Sequence, residues 1–301
     1  MAEADARAVI RLDETTCARL LPRRDPAGHK GTFGTVLCVA GSLDYLGAAL
    51  LTAMSAVRAG AGLVALAVPR SLQPLVAGRI PEVVTIGLPV LNDSSDIDAG
   101  AAFELLAERA ADAYVIGPGL AETEGYRSLL LRLLSGSRPP VVVDGSGLNL
   151  LARSGDWWKG IGCNCVLTPH PGEFARLTGS SVGHDEHERI QRSVNATHKF
   201  DQVVVLKGAH TVIGEPTGRV AVAPFAIPAL ATAGSGDVLA GLIGALLAQG
   251  LRLFDAACLG VYLHGRAGER LAGRFGEAGL AASDLPQEIA LARHELSAHS
   301  T

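Results

Sequence analysis

Apolar residues in this chain fall into short unbroken runs, each closed by glycine or polar residues and followed by a longer alanine- and leucine-rich stretch. "TVLCVAGS", Thr35 to Ser42, reads as a strand buried on both faces that ends in a glycine turn. Gly47 to Ala59 then reads as a helix stopped by Gly60, and "LVALAVP", Leu63 to Pro69, returns as a strand. The same grammar recurs. Ala113 to Leu120 is a strand running into a glycine loop, Pro140 to Leu151 contains a strand ending at Asp144, and Cys165 to Gly179 is a strand, a turn and a helix. Gln202 to Pro224 predicts a strand and then a hairpin around "GEPTG", after which helices dominate. Strands that alternate with helices and are apolar throughout predict a mostly parallel sheet covered on both faces: a three-layer α/β/α sandwich with a late antiparallel hairpin. No linker, low-complexity tract or repeat divides the chain. Residues 28–301 are therefore read as one domain, and 1–27, polar and weakly periodic, as a partly ordered extension.

Composition narrows the partners. The chain has 301 residues, 48% of them hydrophobic, which supplies a sizeable core; charged residues are only 19% and the formal net charge is −4. No basic stripe offers a surface for nucleic acid. Leu46 to Val57 and Val238 to Ala248 fall short of the ~18 apolar residues that span a bilayer, so no membrane is expected. The five cysteines, an odd number scattered through apolar stretches with no signal peptide before them, fit a reduced cytoplasm. Cys163 and Cys165 with His170 nearby could be read as metal ligands, but they lack a second cysteine pair and lead into a strand.

Candidate chemistry sits in the turns after the strands, where open α/β sheets gather their ligands. "TAGSGD", Thr232 to Asp237, combines glycines, outward-facing amides and the positive end of a helix beginning near Asp237, which together suit an anion. It is neither a Walker loop nor a GxGxxG fingerprint. Asp237 can be read as a base accepting a proton from an attacking hydroxyl beside a transferred phosphoryl group, or as a helix cap. "LTPHPGEF" brings His170 and Glu173 together: Glu173 suits a magnesium ion held through water, or merely a favourable first helical turn after Pro171. Lys207, after the strand of "LKGAHTVI", could meet phosphate or lie in solvent. "GPG" (Gly117 to Gly119) and "HKGTFG" (His29 to Gly34) are unspecific taken singly.

In order, "HKGTFGTVLCVAGS", "GAALLTAMSAVRAGAGLV", "VIGPGL", "VVVDGSGLNLL", "LTPHPGEFARLTG", "VVLKGAHTVI", "LATAGSGDVLAG" and "VYLHG" resemble the ADP- or ATP-dependent NAD(P)H-hydrate dehydratases, from His29 nearly to the last residue. The resemblance implies a ribokinase-like fold and repair of the hydrated cofactors NADHX and NADPHX. A nucleotide phosphorylates the ring hydroxyl, phosphate leaves, and the ring double bond returns. It further implies that Asp237 is the base, that Ala48, Gly119 and His170 contact the hydrated dinucleotide, and that Lys207, Gly208, Ala209, His210 and Thr211 hold ADP or ATP together with Gly234, Ser235 and Gly236. Glu173 would act on Mg²⁺ through water. The family's tetramers imply a homo-oligomer. The stretch before His29 is too short for the epimerase domain fused in some relatives, so the resemblance implies a separate epimerase.

Three positions depart from the family's pattern: Ile227-Pro228 where Asn-Pro is expected, Ala233 in place of a glycine, and Gly145-Ser146-Gly147 without a second acid after Asp144. Two other readings stay open. A small-molecule kinase of the same fold, acting on a vitamin alcohol, would share the anion site and release a stable phosphoester. A nucleotide-binding sensor would keep the fold without turnover.

Overall fold

The computed structural model describes residues 9–91, 96–136 and 138–298. Its ten strands are β1 (Ile10–Arg11), β2 (Thr35–Val39), β3 (Leu63–Pro69), β4 (Val84–Leu88), β5 (Ala113–Ile116), β6 (Val141–Val143), β7 (Cys165–Leu167), β8 (Val203–Leu206), β9 (Val212–Gly214) and β10 (Val220–Val222). They form one sheet in the order β1-β10-β9-β8-β7-β6-β5-β2-β3-β4. From β8 through β4 every neighbouring pair is parallel; β9 runs antiparallel to both β8 and β10. The predicted hairpin is thus β9–β10, with the turn at Glu215–Gly218 closed by the Gly218 amide donating to Glu215 O.

Alternation along each strand feeds two cores. In β2, Val36 and Cys38 join the core beneath the helices Leu46–Arg58, Ser235–Ala248, Leu253–Phe275 and Leu285–Ser297, while Leu37 and Val39 join the core on the opposite face. The Ser235–Ala248 helix, "SGDVLAGLIGALLA", is apolar all round because it is enclosed all round: every residue from Val238 to Ala248 is buried. It lies against the Leu46–Arg58 helix, whose Ser55 Oγ donates to Val238 O at 2.6 Å and whose Thr52 Oγ1 donates to Asp237 O at 3.3 Å.

The polar stretch before residue 28 contributes more structure than its weak periodicity indicates. Ile10 and Arg11 pair with Ala221 and Val222 as a parallel edge strand, and a short helix, Glu14–Ala18, buries Cys17 against the core. Its start is capped by Asp13, whose Oδ1 accepts from the Thr16 amide at 2.7 Å. Cys163 and Cys165 are core residues with sulfurs 3.7 Å apart, and among the described residues no group of three or more His, Cys, Asp or Glu is placed to hold a metal ion. No described helix is long and apolar enough to cross a membrane.

Candidate active site

The loops after β2, β5, β6, β7 and β8 converge on the first turn of the Ser235–Ala248 helix. That helix begins at Ser235, two residues before the predicted start, with Gly234 in the left-handed region (φ 90°) as its N-cap. Asp237 is therefore the third residue of the helix, within its first turn. No side chain caps the helix, and the Asp237 carboxylate accepts no hydrogen bond among the described residues. The capping explanation for this aspartate is thereby removed. The amides of Gly236 and Asp237 donate to no described backbone carbonyl, as expected of the orphan donors at a helix start.

Two cavities meet at this turn. The larger, about 1170 Å³, is lined by Ala48, Gly119, His170, Glu173, Gly234 and Asp237, with Ser42, Tyr45, Glu122 and Asn149 around its walls. Gly119 has φ 62°, and a Cβ there would stand 2.7 Å from Ala48 Cβ and 2.8 Å from Tyr45 O, so only glycine leaves this wall open. The smaller cavity, about 410 Å³, is lined by Lys207, Gly208, Ala209, Thr211, Ser235 and Gly236, together with apolar Phe225, Ile227, Leu230 and Leu239. The four residues proposed for the hydrated dinucleotide thus share one cavity, and six of the eight proposed for the nucleotide share the other. Gly234 opens into the larger cavity instead. His210, in the left-handed region (φ 51°), turns to a third cavity of about 300 Å³, its Nδ1 3.3 Å from Ala223 O.

Lys207 sits at the junction. Its Nζ donates to Asp144 Oδ1 at 2.7 Å and lies 3.9 Å from Glu173 Oε2, and Asp144 Oδ1 also accepts from Thr168 Oγ1 at 2.7 Å. A Cβ on Gly236 would approach that ammonium to 3.1 Å, so the glycine lets the helix start and the lysine share one spot. Burial works against the Lys207 charge, but Asp144 and Glu173 outweigh it and hold its pKa above the ordinary lysine value. Three carboxylates face this single ammonium. Burial, reinforced by Asp144, pushes Asp237 up to about 7, and burial pushes Glu173 up to about 7 against the pull of Lys207.

Glu173 also serves its helix. His170 is the N-cap of Pro171–Thr178: its Nδ1 accepts from the Gly172 amide at 3.0 Å, while Glu173 Oε2 accepts from the His170 amide at 2.8 Å, a reciprocal capping box. The first-turn explanation for Glu173 is therefore met by this capping box. Burial, then Lys207 and Arg176, lower the His170 pKa and favour the neutral ring. Asp144 and Thr168 received no role from the sequence. Asp144 closes a valine run as the other site loops do, but only the fold reveals that Lys207, sixty-three residues on, comes to it.

A family model described as NAD(P)H-hydrate dehydratase matches residues 36–291. The chain belongs to the NAD(P)H-hydrate dehydratase family. A bifunctional NAD(P)H-hydrate repair enzyme of Moorella thermoacetica is 43% identical over 275 residues, covering 89% of this chain and 51% of that protein. Others of that name are matched to a similar extent, so the chain spans about half the length of the first curated relatives it matches. An ADP-dependent (S)-NAD(P)H-hydrate dehydratase of Xanthomonas campestris pv. campestris is 36% identical over 280 residues, 93% of this chain and 95% of that protein. The solved ADP/ATP-dependent NAD(P)H-hydrate dehydratase of Bacillus subtilis, co-crystallized with ATP/Mg²⁺, superposes with a TM-score of 0.83 at 31% identity, covering 96% of this chain and 99% of that one. The ribokinase-like class expected of this dehydratase family is borne out by the sheet and by these likenesses.

Proposed function

We propose that the chain catalyses the ADP- or ATP-dependent dehydration of (S)-NADHX and (S)-NADPHX to NADH and NADPH. The observation that carries this reading is the position of Asp237: an uncapped, half-buried carboxylate at the seam of two cavities, one suited to a hydrated dinucleotide and one to a nucleoside with its phosphates. A carboxyl with a pKa of about 7 is a usable base near neutrality.

In this mechanism Asp237 takes the proton of the ring hydroxyl. The freed oxygen bonds to the terminal phosphorus as the phosphoanhydride bond breaks, leaving AMP from ADP or ADP from ATP. The new ester's C–O bond then breaks, phosphate leaves with the bonding pair, a ring proton is lost, and the double bond is restored, so the hydrate loses the elements of water. Lys207 and the free amides of the helix start stabilise the charge that builds on the transferring group. The surplus of carboxylate over ammonium around Lys207 suits a divalent cation. Glu173 would hold Mg²⁺ through water, and the ion when bound would neutralise phosphate charge. An epimerase activity would supply the S epimer.

Incubation of the chain with NADHX, Mg²⁺ and either ADP or ATP tests the reading. Reduced-nicotinamide absorbance is expected to appear in step with orthophosphate. No absorbance with either nucleotide, or accumulation of a stable phosphoester, would replace it with the kinase reading.

A further inference from the structure

We propose that Arg189 and His264 are positioning residues, each gripping the carbonyl of a peptide group whose own N–H is presented to the nucleotide's phosphates. The inference rests on the nucleotide reading above and adds two residues to it. His264 is buried in the Leu253–Phe275 helix with its Nε2 3.0 Å from Ser235 O. Arg189 is buried in the Glu186–Phe200 helix, and its Nη2 donates to Leu206 O at 3.0 Å and to Lys207 O at 3.1 Å.

A trans peptide points its C=O and N–H in opposite directions, so fixing one fixes the other. The carbonyl of Ser235 belongs to the same peptide as the Gly236 amide, and the carbonyl of Lys207 to the same peptide as the Gly208 amide. Neither amide donates to a described backbone carbonyl, and both glycines line the smaller cavity. A hydrogen bond received by the carbonyl also polarises its peptide and strengthens the N–H as a donor.

The chemistry of the two grips supports the assignment. A carbonyl only accepts, so His264 must carry its proton on Nε2. Burial lowers its pKa to about 4, which keeps the ring neutral and that tautomer fixed at working pH. Arg189 has no acidic partner among the described residues, and its buried Nε has no hydrogen-bond partner among them. A buried guanidinium held only by carbonyls is costly, and phosphates beyond the Gly208 amide would offset that cost.

The test compares the full-length chain with His264→Leu, His264→Gln, Arg189→Met and Arg189→Lys, using calorimetric binding of ADP and of adenosine and steady-state kinetics. His264→Leu and Arg189→Met should each weaken ADP about tenfold, the loss expected for one such hydrogen bond, and leave adenosine unchanged. His264→Gln, whose amide can still reach the carbonyl, should recover most of the loss; the nucleotide KM should move and the hydrate KM should not. Unchanged ADP affinity, or equal losses for ADP and adenosine, would overturn the proposal, the second result reducing His264 to a wall of the nucleoside cavity. If Arg189→Met melts out, Arg189→Lys decides that arm, since it keeps the charge and loses the two-carbonyl grip: wild-type ADP affinity in it would refute the grip. Wild-type protein that binds no ADP would instead defeat the nucleotide reading itself.

Discussion

The two cavities beside the first turn of the Ser235–Ala248 helix are built from different materials. On one side polar and titratable groups gather: His170, Glu173, Asp237, Glu122 and Asn149 around a wall kept open by Gly119. On the other side Phe225, Ile227, Leu230, Leu239 and Val261 enclose a smaller space whose charge comes from Lys207. A hydrated, multiply hydroxylated substrate needs many polar contacts, whereas a purine gains most from apolar enclosure. Charge is thereby concentrated along the seam. Lys207 answers Asp144 and Glu173 there, and among the described residues Asp237 has no ion-pair partner of its own. Burial in that seam raises the Asp237 pKa to about 7, which is the property the proposed base requires.

The contrast can be broken from either side. Lys207→Met should do most damage, because it leaves Asp144 buried without its counter-charge, a loss of about 3 kcal/mol in thermal or urea unfolding. It should also weaken ADP. Next comes Asp237→Asn. A carboxyl whose folded pKa lies above its unfolded value favours the folded state at low pH, and that advantage is lost as pH rises from about 4 to about 7. Removing the charge should therefore stabilise the protein at pH 8 by roughly 1–3 kcal/mol and leave it little changed at pH 4. Melting curves at the two pH values check it, and equal shifts at both would contradict the assignment. Smaller and opposite effects should come from the two walls. Gly119→Ala, with its φ of 62° and its clash with Ala48, should raise the hydrate KM and spare ADP binding. Phe225→Ala should weaken ADP about tenfold and spare the hydrate KM.

Local pattern accounts for much of this. The apolar runs at Thr35–Val39, Leu63–Pro69 and Cys165–Leu167 are strands at the predicted places, because residues buried on both faces leave an unbroken apolar signature. β4 and the edge strand β1 left weaker marks. Val84 is exposed, and Ile10–Arg11 is held by pairing with β10 rather than by its own alternation. Asp144 and Thr168 were illegible as site residues because their role depends on Lys207 arriving from another strand. His210 shows the converse: it stands within the loop that was expected to hold nucleotide, yet its backbone turns it to a different cavity. The adjacent tryptophans find their reason only in three dimensions. Trp157 and Trp158 both pack on Phe200, at 4.9 and 5.5 Å between ring centroids, and Lys199 lies over Trp158, which fastens the turn at Trp157–Gly160 to the Glu186–Phe200 helix.

In the proposed mechanism Asp237 acts as a base and not as a structural residue. The most direct measurement is orthophosphate release by Asp237→Asn supplied with NADHX, ADP and Mg²⁺, at ligand concentrations where calorimetry shows both sites filled. We expect binding close to wild type and turnover lower by about 10³-fold, the range lost with a general base. Turnover within tenfold of wild type under full occupancy would contradict it.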